Sequence, residues 1–398
     1  MTSTQARGFF AALLLMKFCQ NAVLGVLPPV LADLADDFAL SPTKTGTLIG
    51  IFGVARLAII LPLGTYLKSA SRSGKVVFVG LACSLLGAIL MGVARGYSCL
   101  LIGRALIGLG HAATYLAGLL LILTVASREQ VARAANMWEG VGVASLMVHG
   151  VVGGLIADRF GWRVAFAWAS ASVVLSCVAF LSGSSMVDRM GEGAKPETQS
   201  AGQISGVVAR SDADARAVFR FTLVTAFTLS ACWAGVLSTL VPLFGGNNLG
   251  LRPSQIGLVL FIGYMIDVAL LYPSGKVMDR HTRTVLLLPA FSVMAIAVLL
   301  MPLARGLWSF MTFVAIFSAG FVTWNIPATL IADLHLGARQ GQALSVVRFV
   351  GDLGNCVAPV ILGYLVQNAG YQTAGTSVAG LLGANLLLAI GKLLRSRP

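Results

Sequence analysis

Apolar runs of about twenty residues, divided by short polar gaps, recur from one end of the chain to the other. They predict twelve helical segments, at 9–31, 45–67, 75–93, 98–125, 136–156, 163–184, 217–243, 255–275, 284–303, 307–331, 344–366 and 373–391. A helix of about twenty residues matches the roughly 30 Å hydrocarbon layer of a bilayer. Spanning β-strands would be about half as long and would alternate apolar with polar positions, a pattern the runs lack. One gap is long: "SMVDRMGEGAKPETQSAGQISGVVARSDADAR" (185–216) is rich in Gly and Ser, charged and without helical periodicity. It reads as a flexible linker. The predicted fold is an all-α integral membrane protein of twelve transmembrane helices, with a six-helix half at 1–184 and another at 217–398.

Composition agrees. The chain is 57% hydrophobic and 11% charged, with mean hydropathy +0.87, whereas soluble domains carry about 25% charged residues. The net charge of +13 would suggest nucleic-acid binding in a soluble chain; here its distribution reads as topology. With the N-terminus inside, eighteen Lys and Arg fall in inner segments and six in outer gaps. That bias predicts cytoplasmic termini and a cytoplasmic linker, in a multi-pass protein of the cell inner membrane. The first run is too long for a signal core and no A-x-A site follows it, so it is read as the first span. The six Cys are scattered without CxxC or Cys/His spacing, so neither a disulfide framework nor a metal site is expected.

A duplication is visible. "YPSGKVMDRHTR" (272–283) and "LPLGTYLKSASRSGK" (61–75) align through Pro273-x-Gly275 and Pro62-x-Gly64, 211 positions apart. Each is the turn between the second and third helix of a six-helix unit. In the first copy Lys68 stands where the second has Asp279, a replacement the sequence does not explain.

Gly275, Asp279, Arg280 and Arg283 together resemble the loop signature G-x-x-x-D-R-x-x-R of the major facilitator superfamily. "RALIGLGHAA" (104–113), "DRFGWR" (158–163) and "RFVGDLGNCVAP" (348–359) are similar to further motifs of that family. The likeness covers essentially the whole chain and looks nearest to the twelve-helix drug:proton antiporter branch. It implies a gating loop at Gly64, Gly275, Asp279, Arg280 and Arg283, and a solute cavity lined by helices 1, 4, 7 and 10. One departure stands out. Exporters of the family often carry G-P-x-x-G-G in helix 5, and this chain has "HGVVGG" (149–154).

Charged groups inside spans supply the candidate chemistry, because each costs roughly 2.5–3.5 kcal/mol at the bilayer centre unless paired or facing a cavity. Lys17, with Gln20 and Asn21, makes a polar stripe on helix 1; it either contacts solute or pairs structurally. Arg104 matches the family's fourth-helix Arg, with a coupling or a packing role. Arg56 and Asp267 are equivalent in the two repeats. Asp267 with His149 is the leading proton-carrying pair, a static hydrogen bond being the alternative. Asp352, one turn from Arg348, is a candidate partner for Arg56. Glu139 reads as an interfacial pairing residue. Trp233, Trp324 and Asn325 are candidate solute contacts, and Pro327 is placed to break helix 10.

The expectation is a secondary transporter of a small organic solute, proton-coupled and exporting, working as a monomer by alternating access in the lipid bilayer. No ATP-binding motif, nucleophile elbow or HExxH is present, so no enzyme, cofactor, metal or nucleic-acid partner is expected. The alternatives are uptake or exchange of an anionic metabolite, metal or metalloid export through Cys19, Cys232 and Cys356, and a receptor-like protein that transports nothing.

Overall fold

The computed structural model describes residues 3–67, 70–126, 130–184, 187, 212–280, 283–334 and 340–395. Among them the regular structure is helical, with no strand. The spans are α1 Gln5–Asp37, α2 Pro42–Gly64, α3 Ser71–Gly92, α4 Tyr97–Val125, α5 Arg133–Phe160 and α6 Trp162–Ser182. Then follow α7 Ala215–Asn248, α8 Pro253–Leu270, α9 Thr284–Leu303, α10 Leu307–Ile331 and one continuous segment, Gln342–Leu393. Inside that last segment Gly370 takes φ 80°, ψ 173°, a left-handed conformation that a side chain resists. It separates α11 (342–369) from α12 (371–393), which completes twelve spans. Gly161, 209 positions earlier, takes φ 84°, ψ 161° between α5 and α6, so the two repeats turn on equivalent glycines.

Three spans depart from a regular helix. α1 stops at Gln20 and restarts as Ala22–Gly25 and Leu27–Asp37. Pro28 and Pro29 lack the amides that would bond back to Leu24 and Gly25. The restart carries α1 past the expected limit of 31, because Asp33, Asp36 and Asp37 end the apolar run without ending the helix. α7 is π-helical over Trp233–Leu240 and Phe244–Asn248, which widens it and extends it beyond the expected 217–243. α10 changes to a 3₁₀ turn at Gly320–Thr323 and resumes at Ile326 with Pro327 in its first turn.

The chain forms two compact units. The first lies within Met1–Leu40, Ile51–Glu197 and Leu251–Phe261; the second within Ser41–Gly50, Thr198–Gly250 and Ile262–Pro398. Each unit therefore contains a helix tip from the opposite half of the sequence. In the second unit, the tip of α2 seats on α11. The Thr43 hydroxyl donates to Gln367 Oε1 at 2.6 Å and the Thr43 N–H to the same oxygen at 3.4 Å. In the first unit, the tip of α8 seats on α5. The Ser254 N–H donates to Asp158 Oδ1 at 3.1 Å, and the Ser254 hydroxyl to the other carboxylate oxygen. Ser254 lies 211 positions after Thr43, so both repeats satisfy the orphan amides of a helix start from another span.

Glycines allow the close approach. A β-carbon on Gly46 would stand 2.0 Å from the Pro359 carbonyl oxygen, and one on Gly50 2.5 Å from that of Cys356. The counterpart of Gly46 is Gly257, whose β-carbon would stand 2.6 Å from the Gly150 carbonyl oxygen. Gly46-xxx-Gly50 and Gly150-xxx-Gly154 are small-residue pairs of the kind that bring membrane helices together.

Large apolar side chains such as Phe160, Leu303, Trp308 and Leu387 are left exposed. In water such a surface is a liability; against lipid it is the outer face that a spanning bundle requires. In the first unit, an apolar core of Leu13, Met16, Leu81, Ala117, Leu121 and Trp138 lies beneath the polar groups described below.

The "DRFGWR" turn ties three spans together. Trp162 Nε1 donates to Asp37 Oδ2 at 2.6 Å. Arg163 lies 4.3 Å from the Trp162 ring and donates to the Ala94 carbonyl at 2.9 Å. A hydrogen bond to a charged group contributes about 1.5–3 kcal/mol. Trp162→Phe is expected to lower stability by about 2 kcal/mol, read as an earlier thermal transition of the detergent-solubilised protein; an unchanged transition would show that the bond contributes nothing.

Candidate functional site

The first unit gathers Lys17, Asn21, Arg56 and Arg104. Lys17 and Asn21 are one turn apart on α1 at its break and both are buried. The Lys17 ammonium lies 4.3 Å from the Tyr115 ring centre and 4.5 Å from that of Trp138. A desolvated cation on an aromatic face gains about 2 kcal/mol, which offsets part of its insertion cost. The Tyr115 hydroxyl in turn donates to Glu139 Oε1. Glu139, expected at an interface pairing, thus belongs to a chain that runs from ammonium to ring to carboxylate. Asn21 Nδ2 donates to the Gly142 carbonyl at 3.4 Å. Gly142 leaves room for both side chains: a β-carbon there would stand 3.0 Å from Lys17 Cε.

On α4, residues 104, 108, 111 and 115 follow the helical repeat and share one face. Gly108 lets α2 come close, its β-carbon position being 2.5 Å from the Phe52 carbonyl oxygen. Phe52 is shared: Arg104 Cζ lies 4.6 Å and Arg56 Cζ 5.6 Å from its ring centre, and the His111 ring 5.5 Å. His111 also stacks on Tyr115 at 5.9 Å. Lys17, Arg56 and Arg104 all act electrostatically on the His111 imidazole. Arg104 Nε and Nη1, His111 Nδ1, Trp138 Nε1 and Asn21 Oδ1 are buried with no hydrogen-bond partner among the described residues.

His149 is held by Ser145. The Ser145 hydroxyl donates to the Phe18 carbonyl at 2.5 Å, and His149 Nδ1 lies 3.0 Å from both the Ser145 hydroxyl and its carbonyl oxygen. A carbonyl only accepts, so Nδ1 carries the proton and Nε2 is the nitrogen left for other chemistry. The Phe18 ring lies 5.0 Å away.

The second unit holds the remaining candidates. Asp267 is half-buried on α8, with Oδ1 lacking a hydrogen-bond partner among the described residues, and buried Tyr264 is one turn earlier. Trp233 opens the first π-helical stretch of α7. There Ser238 and Thr239 hydroxyls bond back five residues, to the carbonyls of Trp233 and Ala234 at 3.4 and 2.8 Å. Trp324 and Asn325 are exposed where α10 is broken. Asp352 is buried on α11 and accepts from Asn355 Nδ2 at 3.2 Å. Gly64 is exposed on α2 with open space around it. Gly275, Asp279 and Arg280 end the helix that contains α8, and Arg283 starts the next. The side chains of Asp279, Arg280 and Arg283, and Lys68 as a whole, lie outside the described residues.

The sequence reading missed the partners of Lys17. Tyr115 and Phe52 look like ordinary span residues; the available signal was that Tyr115 continues the face of Arg104 and His111. Nothing in the sequence marks α7 as π-helical, a feature frequent at functional sites.

The family model described as "Major Facilitator Superfamily" matches residues 13–359 and 246–398. The chain belongs to the Major Facilitator Superfamily. As a superfamily member it is a multi-pass membrane transporter of small molecules and not an enzyme. Among its relatives is the "Quinolone resistance protein NorA" of Staphylococcus aureus strain Mu50, 22% identical over 369 residues, covering 90% of this chain and 91% of that protein. A "Probable sugar efflux transporter" of Pasteurella multocida is 27% identical over 154 residues, 38% of each chain. Among solved structures, a bacterial homologue of the human lysosomal transporter Spinster, inward-facing and unoccupied, has TM-score 0.71 at 15% identity, covering 98% of this chain and 96% of that one. The peptide transporter POT in complex with sulfate has TM-score 0.76 at 13% identity, covering 97% and 94%. These two structures share the superfamily fold with this chain.

Proposed function

We propose that this transporter is a proton-coupled exporter of a small organic solute, working by alternating access as a monomer. In this reading it lies in the cell inner membrane with the linker at 185–216 and both termini cytoplasmic, as the Lys/Arg bias favours. The observation that carries the reading is Asp267. It is a carboxylate within a span, half-buried, with one oxygen lacking a hydrogen-bond partner among the described residues. Such a group is costly in a span and marks an ion or proton pathway, and binding and releasing a proton is a service a carboxylate there offers. Similarity along 90% of the chain to a quinolone resistance protein supports export. Seating and release of the α2 and α8 tips is the movement proposed for alternating access, the gating loop at 275–283 acting at the other end of α8.

The test is accumulation of norfloxacin, a fluorescent quinolone, in energised cells with and without the protein. The expected result is lower steady-state norfloxacin in cells that make it, with the difference abolished by a protonophore. A difference that survives the protonophore would remove proton coupling. Equal accumulation of both norfloxacin and ethidium in the two cell lines would remove export of such solutes.

A further inference from the structure

The buried polar atoms of the first unit that lack partners are not scattered. Asn21 Oδ1, Arg104 Nε and Nη1, His111 Nδ1 and Trp138 Nε1 all belong to the group assembled around Phe52, Tyr115 and Lys17. Their owners are at least nine-tenths buried: Asn21 is 4% exposed, Arg104 5%, His111 7% and Trp138 0%. Leaving one such group unmet costs about as much as a lost hydrogen bond. Five together point to something that meets them.

The chemistry of that something follows from the atoms. The arginine and tryptophan nitrogens can only donate, and His111 Nδ1 donates in one tautomer. The ligand must therefore be rich in acceptors. The charge of Arg104 agrees: its Nε and Nη1 are unmet donors on a buried cation beside Phe52. A negative ligand meets that charge, and a cationic one does not. The walls are aromatic. Arg104 Cζ already lies 4.6 Å from the Phe52 ring centre, and a guanidinium stacks on planar groups while its edges bond carboxylate.

We propose that this cluster is the binding site of an aromatic carboxylate, with its carboxylate received by Arg104 and His111 and its ring set among Phe52, Tyr115 and Trp138. The proposal deepens the export reading by naming a solute class, and rests on it for the cluster being a solute site. The partners come from α1, α2, α4 and α5, so the ligand links four spans of one unit. A cationic dye such as tetraphenylphosphonium finds an unfavourable field there.

Equilibrium binding of radiolabelled salicylate to the detergent-purified full chain tests this, with no ion gradient present. The expected result is saturable binding that tetraphenylphosphonium does not displace. Arg104→Gln should weaken it at least tenfold, and Arg104→Lys, which keeps the charge but loses the planar fork, should restore it only in part. His111→Gln provides a second, milder lesion if Arg104→Gln fails to elute as a monodisperse folded protein; it should weaken binding severalfold. Absence of saturable salicylate binding to the wild type overturns the proposal, as does wild-type affinity in both Arg104→Gln and His111→Gln, which would leave the cluster a hydrated structural centre only. Because no gradient enters the measurement, failure here leaves proton-driven norfloxacin export standing, and failure of that export leaves salicylate binding readable.

Discussion

Replacing Asp267 by Asn is expected to bring norfloxacin accumulation back to the level of cells lacking the protein, a complete loss of uphill export. Exchange of labelled for unlabelled solute, with no net gradient, should remain within about threefold of wild type. The two assays separate because Asn keeps the shape and one acceptor oxygen of Asp but cannot take up a proton. Solute alone then drives the conformational cycle in both directions, and the proton gradient is disconnected. The lesion should not unfold the protein. The carboxylate oxygen Oδ1 has no hydrogen-bond partner among the described residues to lose, and replacing a charge in a span by a neutral amide lowers its insertion cost. Uphill export by Asp267→Asn would assign proton coupling elsewhere, and His149, whose Nε2 is left available by Ser145, would be the next residue to change.

The second large effect is steric. Gly46→Ala places a methyl group where only 2.0 Å separates it from the Pro359 carbonyl oxygen. Overpacking of this kind costs about 1–3 kcal/mol, and the neighbour is helix backbone, which yields little. The substitution would by itself favour helix by about 1 kcal/mol, so the sign is decided by the contact. A shift of about 3 kcal/mol against the seated tip of α2 depopulates that state by about a hundredfold, and export should fall below a tenth of wild type. The equivalent Gly257→Ala, with 2.6 Å to the Gly150 carbonyl oxygen, should fall in the same direction by less. Gly383→Ala meets nothing within 4 Å and supplies the control; it should export normally. Full export by Gly46→Ala would mean that the α2 tip need not seat on α11 for transport.

The apolar runs and the 211-residue repeat were legible because lipid imposes them on every span. Pro42 and Pro253, Thr43 and Ser254, and Gly46 and Gly257 all keep that spacing, and Gly161 and Gly370 keep it within two residues. Charged positions inside spans were legible for the same reason, since an apolar background makes Lys17, Arg104 and Asp267 conspicuous. Their partners were not. Lys17 is stabilised by rings on α4 and α5, and aromatic residues in a span carry no mark distinguishing a cation's wall from ordinary core. The breaks split along the same line. Pro327 announced the interruption of α10, and Pro28-Pro29 announces that of α1 to a reader who asks where the missing amides fall. The first π-helical stretch of α7 carries hydroxyl back-bonds from Ser238 and Thr239, and no local residue pattern marks either stretch. The end of α1 was misplaced because hydropathy measures apolarity, and a helix continues through Asp36 and Asp37 without it.

The exchanged helix tips bear on how the molecule is made. Thr43 waits for Gln367, 324 residues further along the chain, and at roughly 5–20 residues per second of synthesis that is a delay of roughly 15 to 65 s. Through that interval the first half is in the bilayer with a glycine-lined backbone strip uncovered. Its own early packing cannot close the strip, because the covering residues do not yet exist. Seating of the α2 tip thus waits for the second half of the chain. A premature stop between the halves leaves residues 41–50 without the α11 surface on which they seat.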